Sequence, residues 1–256
     1  MFLGKSVAVV VPAYNEARLL PRTLASIPDF VDLVVVVDDG SVDATAAVAR
    51  TCGAPERLRV VRHEYNRGVG AALATGYREA VEAGAQIIAV MAGDAQMDPA
   101  DLPALLAPIA HGRADYAKGD RLAHPDVHRL MPLWRLCGGV VLSWLTRLTS
   151  GYWTLRDSQC GYTAISREAL LALPLDRLYP RYGYPNDLLA WLNALGQRLE
   201  QVPVRPVYGD ETSGIHPLWI IPRLGFVLVR SLTLRVWHKH LRRNLPPPAP
   251  ARGLLR

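Results

Sequence analysis

Short, unbroken apolar runs alternate with helix-period stretches through the first hundred residues. Val7–Val11, Leu33–Val37 and Ile87–Met91 are continuous rather than alternating, and Arg59–Arg62 is a shorter, more polar run. Continuous apolar runs predict strands buried on both faces, as in a parallel sheet. Between them the spacing predicts helices over Ala17–Ile27, Ala44–Arg50 and Val69–Ala83, with Asp43 as N-cap of the second. Asp98-Pro99 predicts the start of a further helix, aspartate as cap and proline in the first turn. The whole predicts an α/β domain with a Rossmann-like, mainly parallel central sheet and helices on both faces. Ligands of such sheets bind beyond the carboxyl ends of the strands, so the informative residues are expected just after each run.

Three polar loops occupy those positions: Pro12-Ala13-Tyr14-Asn15-Glu16, Asp38-Asp39-Gly40-Ser41 and Gly93-Asp94-Ala95-Gln96-Met97-Asp98. Asp38 and Asp39 are adjacent, so at a strand end they point to opposite faces, although Asp-Asp-Gly-Ser is also ordinary turn composition. Asp94 and Gln96 are spaced to reach one cation from a loop, and oxygen donors suit Mg2+ or Mn2+. Asp98 is read as a helix cap, outside that set. Gly68-Val69-Gly70 begins like a dinucleotide fingerprint, but Leu73 breaks the pattern and no strand directly precedes it.

The second half holds an apolar stretch, Met131–Leu148, with Trp134, Arg135, Trp144 and Arg147. It reads either as a core helix or as an interfacial helix that guides a lipid chain. Asp157–Gly161 reads as a turn, and Tyr184-Pro185-Asn186-Asp187 opens a helix to Leu195. Asp187 is there either a general base or a first-turn acid complementing the helix dipole.

Charge changes the picture at the end of the chain. The net charge is +6, and no Asp or Glu follows Glu211, while eight Lys or Arg do. Such an end suits nucleic acid or anionic lipid; its interleaved Leu218, Trp219, Ile220, Phe226, Val229 and Trp237 favour a membrane surface and argue against nucleic acid. The bland reading is a core-packing helix with an exposed arginine face. No uncharged apolar run approaches the ~20 residues that span a bilayer. Residues 217–245 are therefore expected to form a basic amphipathic segment, and the Pro-rich residues 246–256 to be disordered. Three scattered cysteines make neither a disulfide framework nor a zinc cluster, and Met1–Val11 reads as a first strand rather than a leader. The expected place is cytoplasmic, on the inner face of the cell membrane.

Val11-Pro12-Ala13-Tyr14-Asn15-Glu16, Val37-Asp38-Asp39-Gly40-Ser41 and Asn66-Arg67-Gly68 resemble the signature loops of family 2 glycosyltransferases of GT-A fold. Gly93–Pro99, Gly119-Asp120-Arg121 and Asp157–Tyr162 resemble, more narrowly, the polyprenyl-phosphate sugar synthases. The resemblance covers about residues 5–216, the expected catalytic domain, and implies a GDP- or UDP-sugar donor, a divalent cation and a polyprenyl phosphate acceptor. It implies that Pro12, Ala13, Tyr14 and Glu16 line the nucleotide pocket, with Asp39 at the base or ribose. Gly70 and Ala71 would let the nucleotide approach the backbone. Asp94 and Gln96 would hold the cation, Arg121 would face the phosphates, and His216 would stand where a mobile loop usually carries a stronger base. One departure is plain: Ala92 replaces the first aspartate of the Asp-x-Asp motif. An ionised lipid phosphate needs cations rather than a base, and Arg121 and Arg135 are the candidates to hold it. A hydroxyl acceptor would instead need Asp187. A non-catalytic nucleotide-sugar or membrane-binding module is the reading from a different class.

Overall fold

The computed structural model describes residues 1–52, 55–208 and 217–238, side chains within the last span from residue 222 on. His216 and residues 246–256 lie outside the described residues. Seven strands form one sheet in the order β3-β2-β1-β4-β6-β5-β7. They are β1 (Val7–Ala13), β2 (Leu33–Asp38), β3 (Leu58–Arg62), β4 (Ile87–Val90), β5 (Tyr116–Asp120), β6 (Thr163–Ser166) and β7 (Leu199–Pro203). Pairing is parallel except at β6, which runs antiparallel to both β4 and β5. β1 is central and almost wholly buried, which explains its unbroken Val run.

The helices of the first half are α1 (Leu20–Ser26), α2 (Thr45–Cys52), α3 (Val69–Glu82) and α4 (Leu102–Ala110). α1 starts three residues later than its pattern suggests, because Pro21 occupies its first turn. Asp43 accepts the Thr45 N–H at 2.9 Å, and Asp98 accepts that of Ala100 at 3.0 Å, so both act as caps. Two apolar cores result. Val7, Val9, Val11, Leu102 and Leu105 lie on one face of the sheet; Ala8, Val10, Leu73, Tyr77 and Leu189 lie on the other. This alternation places helices on both faces.

Beyond α5 (Val127–Leu130), the second half adds α6 (Leu133–Ser150), α7 (Arg167–Ala172), α8 (Tyr184–Ala194) and α9 (Pro217–Val236). α9 packs on both α6 and α8. α6 is built inside out: Ser143 and Thr146 are 1% and 0% exposed, whereas Trp134 and Trp144 are 70% and 57% exposed. Its hydroxyls are spent inward, Ser143 on Ser158 and Thr146 on Asn186 at 2.7 Å. α9 also exposes apolar side chains, Phe226, Val229, Leu232 and Val236, while it buries Val227 and Ser231. Among the described residues, no helix is long and apolar enough to cross a membrane.

Candidate active site

The ends of β1, β2 and β4 meet along one edge, as parallel neighbours must. Two non-glycine residues there, Asn15 and Ala95, have φ of 57°. Left-handed backbone at such residues costs free energy and clusters at functional loops. Asn15 anchors its loop to the next one: its N–H donates to Ser41 Oγ at 2.9 Å and its Oδ1 accepts from Val42 N at 3.0 Å.

Asp38 and Asp39 do diverge. Asp38 Oδ1 closes its own turn by accepting Ser41 N at 3.0 Å, and Arg62 Nε stands 3.2 Å from its other oxygen. Asp39 turns toward the loop after β3 and is buried. Its oxygens accept Arg67 N at 3.0 Å and Gly68 N at 2.7 Å, with His63 Nδ1 at 2.7 Å and His63 Nε2 in turn 3.0 Å from Thr75. Three of the four lone-pair positions of Asp39 are thus occupied, leaving at most one for a ligand. His63 sits at the end of β3, where the strand-end rule points, yet its residue type alone did not single it out. Gly70 meets another part of the chain: a Cβ there would lie 2.2 Å from the Tyr179 carbonyl oxygen. Ala71 N donates to Pro180 O at 3.1 Å. The loop that would approach a nucleotide is itself held by residues 179–180.

A cavity of about 270 Å3 opens at the ends of β1 and β4 and is lined by Pro12, Ala92, Asp94, Gln96, Arg121 and Gln159, among others. Asp94 Oδ1 accepts the Gln96 N–H at 3.1 Å, which holds the tight Asp-Ala-Gln turn. Burial, and then repulsion from Asp94 and Asp43, push the Glu16 carboxyl up to about 7. Asp94 and Gln96 both line the cavity, and a carboxylate with a carboxamide oxygen is a donor set that suits a hard divalent cation. Among the described residues no group of three His, Cys, Asp or Glu side chains would hold a metal by itself. Asp94 and Gln96 therefore fit a cation shared with a ligand's own oxygens, the diphosphate of a nucleotide being the natural source. Such a cation would neutralise the leaving diphosphate.

The raised Glu16 makes a prediction about stability. A carboxyl whose folded pKa exceeds its unfolded value of about 4.5 costs stability as pH rises through 4.5 to 7. The cost is absent below that window and constant above it. Glu16→Gln is expected to raise Tm at pH 8 by about 2–4 °C, allowing ~1 kcal/mol for a half-exposed group, and to leave it unchanged at pH 4. A thermal melt at the two pH values decides this; equal shifts at both would remove the electrostatic cause.

Arg121 is paired more closely than its sequence motif suggests. Its Nε lies 2.7 Å from Asp157 Oδ2 and its Nη2 3.0 Å from Oδ1, a bidentate fork. Burial would raise the Asp157 carboxyl, but Arg121, its hydrogen bonds and Lys118 outweigh that and hold it below the usual range. Asp157 also accepts Gln159 N and Cys160 N, which shapes the predicted turn. Lys118 is fully buried on β5, and Nζ donates to the Cys160 carbonyl. Desolvation lowers its pKa. Neither its burial nor that contact was legible from the sequence.

Arg121 Nη1 reaches the Tyr208 hydroxyl at 3.4 Å, and the Arg135 guanidinium lies 4.8 Å from the Tyr208 ring centroid and 5.2 Å from that of Trp134. Tyr208 thus joins the two arginines that the sequence offers for an acceptor phosphate. Asp187 is placed otherwise. It is fully buried, with Oδ1 on Arg230 Nε and Oδ2 on Tyr179 N, both at 2.9 Å. A base in this position would first have to release Arg230.

A mainly parallel sheet with one reversed strand, and an acidic loop beside the cavity at its carboxyl edge, together define a GT-A glycosyltransferase. The sequence profile of Glycosyl transferase family 2 matches residues 8–173, and the chain belongs to that family. It is 30% identical to the undecaprenyl-phosphate mannosyltransferase of Micrococcus luteus over 214 residues, 77% of this chain and 82% of that one. It is 29% identical to the UDP-N-acetylglucosamine–dolichyl-phosphate N-acetylglucosaminyltransferase of Methanococcus voltae over 220 residues, 80% and 87% of the two chains. The glucosyl-3-phosphoglycerate synthase of Mycobacterium tuberculosis, solved with Mn2+, UDP and phosphoglyceric acid, superposes with a TM-score of 0.67 at 25% identity. That superposition covers 91% of this chain and 78% of the other. The expected family and fold are confirmed.

Proposed function

We propose that this enzyme moves a sugar from a GDP- or UDP-sugar to a polyprenyl phosphate at a membrane surface, by direct displacement with inversion. The observation that carries it is the Arg121–Tyr208–Arg135 cluster, whose Arg121 shares a cavity with Asp94 and Gln96. A lipid monophosphate is already largely ionised near neutral pH, with a second pKa of about 6. It attacks without losing a proton, so it needs cations to offset its repulsion from the diphosphate rather than a base. Arg121 and Arg135 supply them, and the burial and pairing of Asp187 agree with a reaction that needs no base. Two relatives carry polyprenyl-phosphate acceptors in their names, in line with this choice.

In this reading Pro12, Ala13, Tyr14 and Glu16 form the nucleotide wall and Asp39 keeps the facing loop in shape. Asp94 and Gln96 hold Mg2+ or Mn2+, whose chemistry is to stabilise the departing nucleoside diphosphate. His216, outside the described residues, is the candidate cation for that diphosphate. Residues 1–216 are the catalytic unit, and residues 217–245 belong to the membrane side. Transfer of radiolabelled sugar to a short polyprenyl phosphate, compared with the matching polyprenol, tests the reading. We expect product with the phosphate alone and a loss of about a hundredfold in Arg135→Ala. Transfer to the alcohol that disappears in Asp187→Asn and survives in Arg135→Ala would replace it with a hydroxyl acceptor.

The outward apolar side chains of two helices support the membrane part. α6 and α9 pack together, and both turn several apolar side chains outward, α6 while burying Ser143 and Thr146. Water on that side would make the arrangement costly, at ~25 cal/mol per Å2 of apolar surface. A leaflet would accept the apolar residues, and anionic headgroups the flanking arginines, on the inner face of the cell membrane. Trp134→Asp combined with Val229→Asp is expected to reduce co-sedimentation with anionic vesicles at least tenfold; pelleting equal to wild type would show that the face meets something else.

A further inference from the structure

Arg230 lies on α9, outside every loop that carries the chemistry, yet its half-buried guanidinium reaches inward through two of its nitrogens. Nε donates to the fully buried Asp187 at 2.9 Å, and Nη2 donates to the Arg177 carbonyl at 2.5 Å. The second oxygen of Asp187 accepts Tyr179 N at 2.9 Å. From there the contacts run on into the nucleotide loop. Pro180 O accepts Ala71 N at 3.1 Å. The Tyr179 carbonyl fills the space above Gly70, where a Cβ would sit 2.2 Å away, and the Pro180 carbonyl does the same at Gly68, at 2.5 Å. Gly68 N is in turn bound by Asp39. The far end of the same segment, Tyr182–Pro185, lines the cavity, and a Cβ at Gly183 would lie 3.3 Å from Val227 of α9.

One stretch of backbone is therefore held on one side by α9 and on the other by the loop at the start of α3. We propose that Arg230 and Asp187 are positioning residues for the donor site: they transmit the seating of α9 to residues 68–71, so that docking of this helix sets nucleotide affinity. The proposal rests on the donor-site reading above and adds its control. The physical basis is an ion pair between half-buried Arg230 and fully buried Asp187, each of which also bonds a backbone group, Arg177 O and Tyr179 N. Losing one partner would strand a charge; losing both unties α9 from Arg177 and Asp187, so the segment keeps its hold on residues 68–71 but loses its own support from the helix. Truncating Arg230 alone risks the fold, so the paired variant Arg230→Met/Asp187→Asn is the cleaner probe. It removes both charges and still offers an amide oxygen to Tyr179 N.

In full-length protein, amide hydrogen exchange at Ala71 and calorimetric affinity for UDP with Mn2+ (GDP in parallel) read the two ends of the connection. We expect the paired variant to unfold cooperatively, to exchange at Ala71 about tenfold faster and to bind the nucleotide five- to tenfold more weakly, within the range of coupling between sites. Arg230→Lys, which keeps the charge but loses the fork, should fall between it and wild type. Nucleotide affinity within twofold of wild type overturns the proposal, whatever happens at Ala71. Weaker binding with unchanged exchange at Ala71 overturns it too, since the route would not be this segment. If wild type binds neither UDP nor GDP, the donor reading falls by itself. Exchange at Ala71 then still decides whether α9 holds the loop.

Discussion

Asp94→Asn is expected to abolish sugar transfer and to make nucleotide binding indifferent to divalent cations. The substitution is nearly isosteric and keeps an oxygen for the Gln96 N–H, which Asp94 accepts at 3.1 Å, so the turn should survive. What it removes is charge. With Ala92 at the first position of the motif, Asp94 is the only carboxylate in the loop from Ala92 to Gln96. A cation held by one carboxylate, one carboxamide and the diphosphate loses its anchor when that carboxylate becomes neutral. Transition-state charge stabilisation of this kind is worth roughly 10²–10³ per lost group, and the loss of the cation as well should take the rate below detection. Calorimetry of UDP with and without Mn2+ checks it: an equal response to Mn2+ in mutant and wild type would end the assignment. The reverse change is equally informative. Ala92 is half-buried and lines the cavity, so Ala92→Asp would add a second carboxylate there and should tighten Mn2+ about tenfold.

The parallel half of the fold was legible because its strands are buried on both faces and therefore read as unbroken Val and Ile runs. β5 was not, because four of the five residues of Tyr-Ala-Lys-Gly-Asp are types depleted in strands. Its lysine is tolerated through the Cys160 carbonyl and nearby carboxylates, a tertiary circumstance that no local pattern shows. β6 has four residues, and β7 carries Glu and Gln on a sheet edge, so neither shows a clear apolar period. At the site, strand-end position was a good guide to which residues gather, and a poor guide to what each one bonds. Asp39, Gly70 and Asp187 are all near the expected place, yet each is engaged by another part of this chain. Those partners, His63, Tyr179 and Arg230, come from distant segments. The outward apolar face of α6 was ambiguous for a related reason: an 18-residue helix with Trp, Val, Ser and Thr has two plausible inner faces. Only the bonds from Ser143 and Thr146 to Ser158 and Asn186 decide which one the protein buries.

Arg121→Met is expected to cost both stability and transfer, and a second substitution separates the two. Asp157 is 1% exposed at its side chain and takes two hydrogen bonds from the Arg121 guanidinium. Removing one partner of a buried pair typically costs 3–5 kcal/mol, or about 10 °C in Tm for a chain of this size. The pH dependence has a definite sign. In wild type the carboxyl is held below its usual range, so the pair contributes stability above the unfolded pKa of about 4 and loses it as pH falls through the lower folded value. In Arg121→Met the carboxyl is buried without its main counter-charge. The deficit should then be greatest near neutral pH and shrink in acid, as protonation removes the stranded charge. Arg121→Met/Asp157→Asn has no such charge and should recover most of the lost Tm, because the neutral amide can still accept Gln159 N and Cys160 N. Transfer is the discriminating readout. If Arg121 serves only to seat Asp157, the double variant regains activity together with stability. If its guanidinium also faces a phosphate in the cavity that it lines with Asp94, the double variant folds like wild type yet stays at least a hundredfold slow. We expect the second outcome, since Nη1 is the one nitrogen that Asp157 leaves to other partners, and it is the nitrogen beside Tyr208 and the Arg135 cluster.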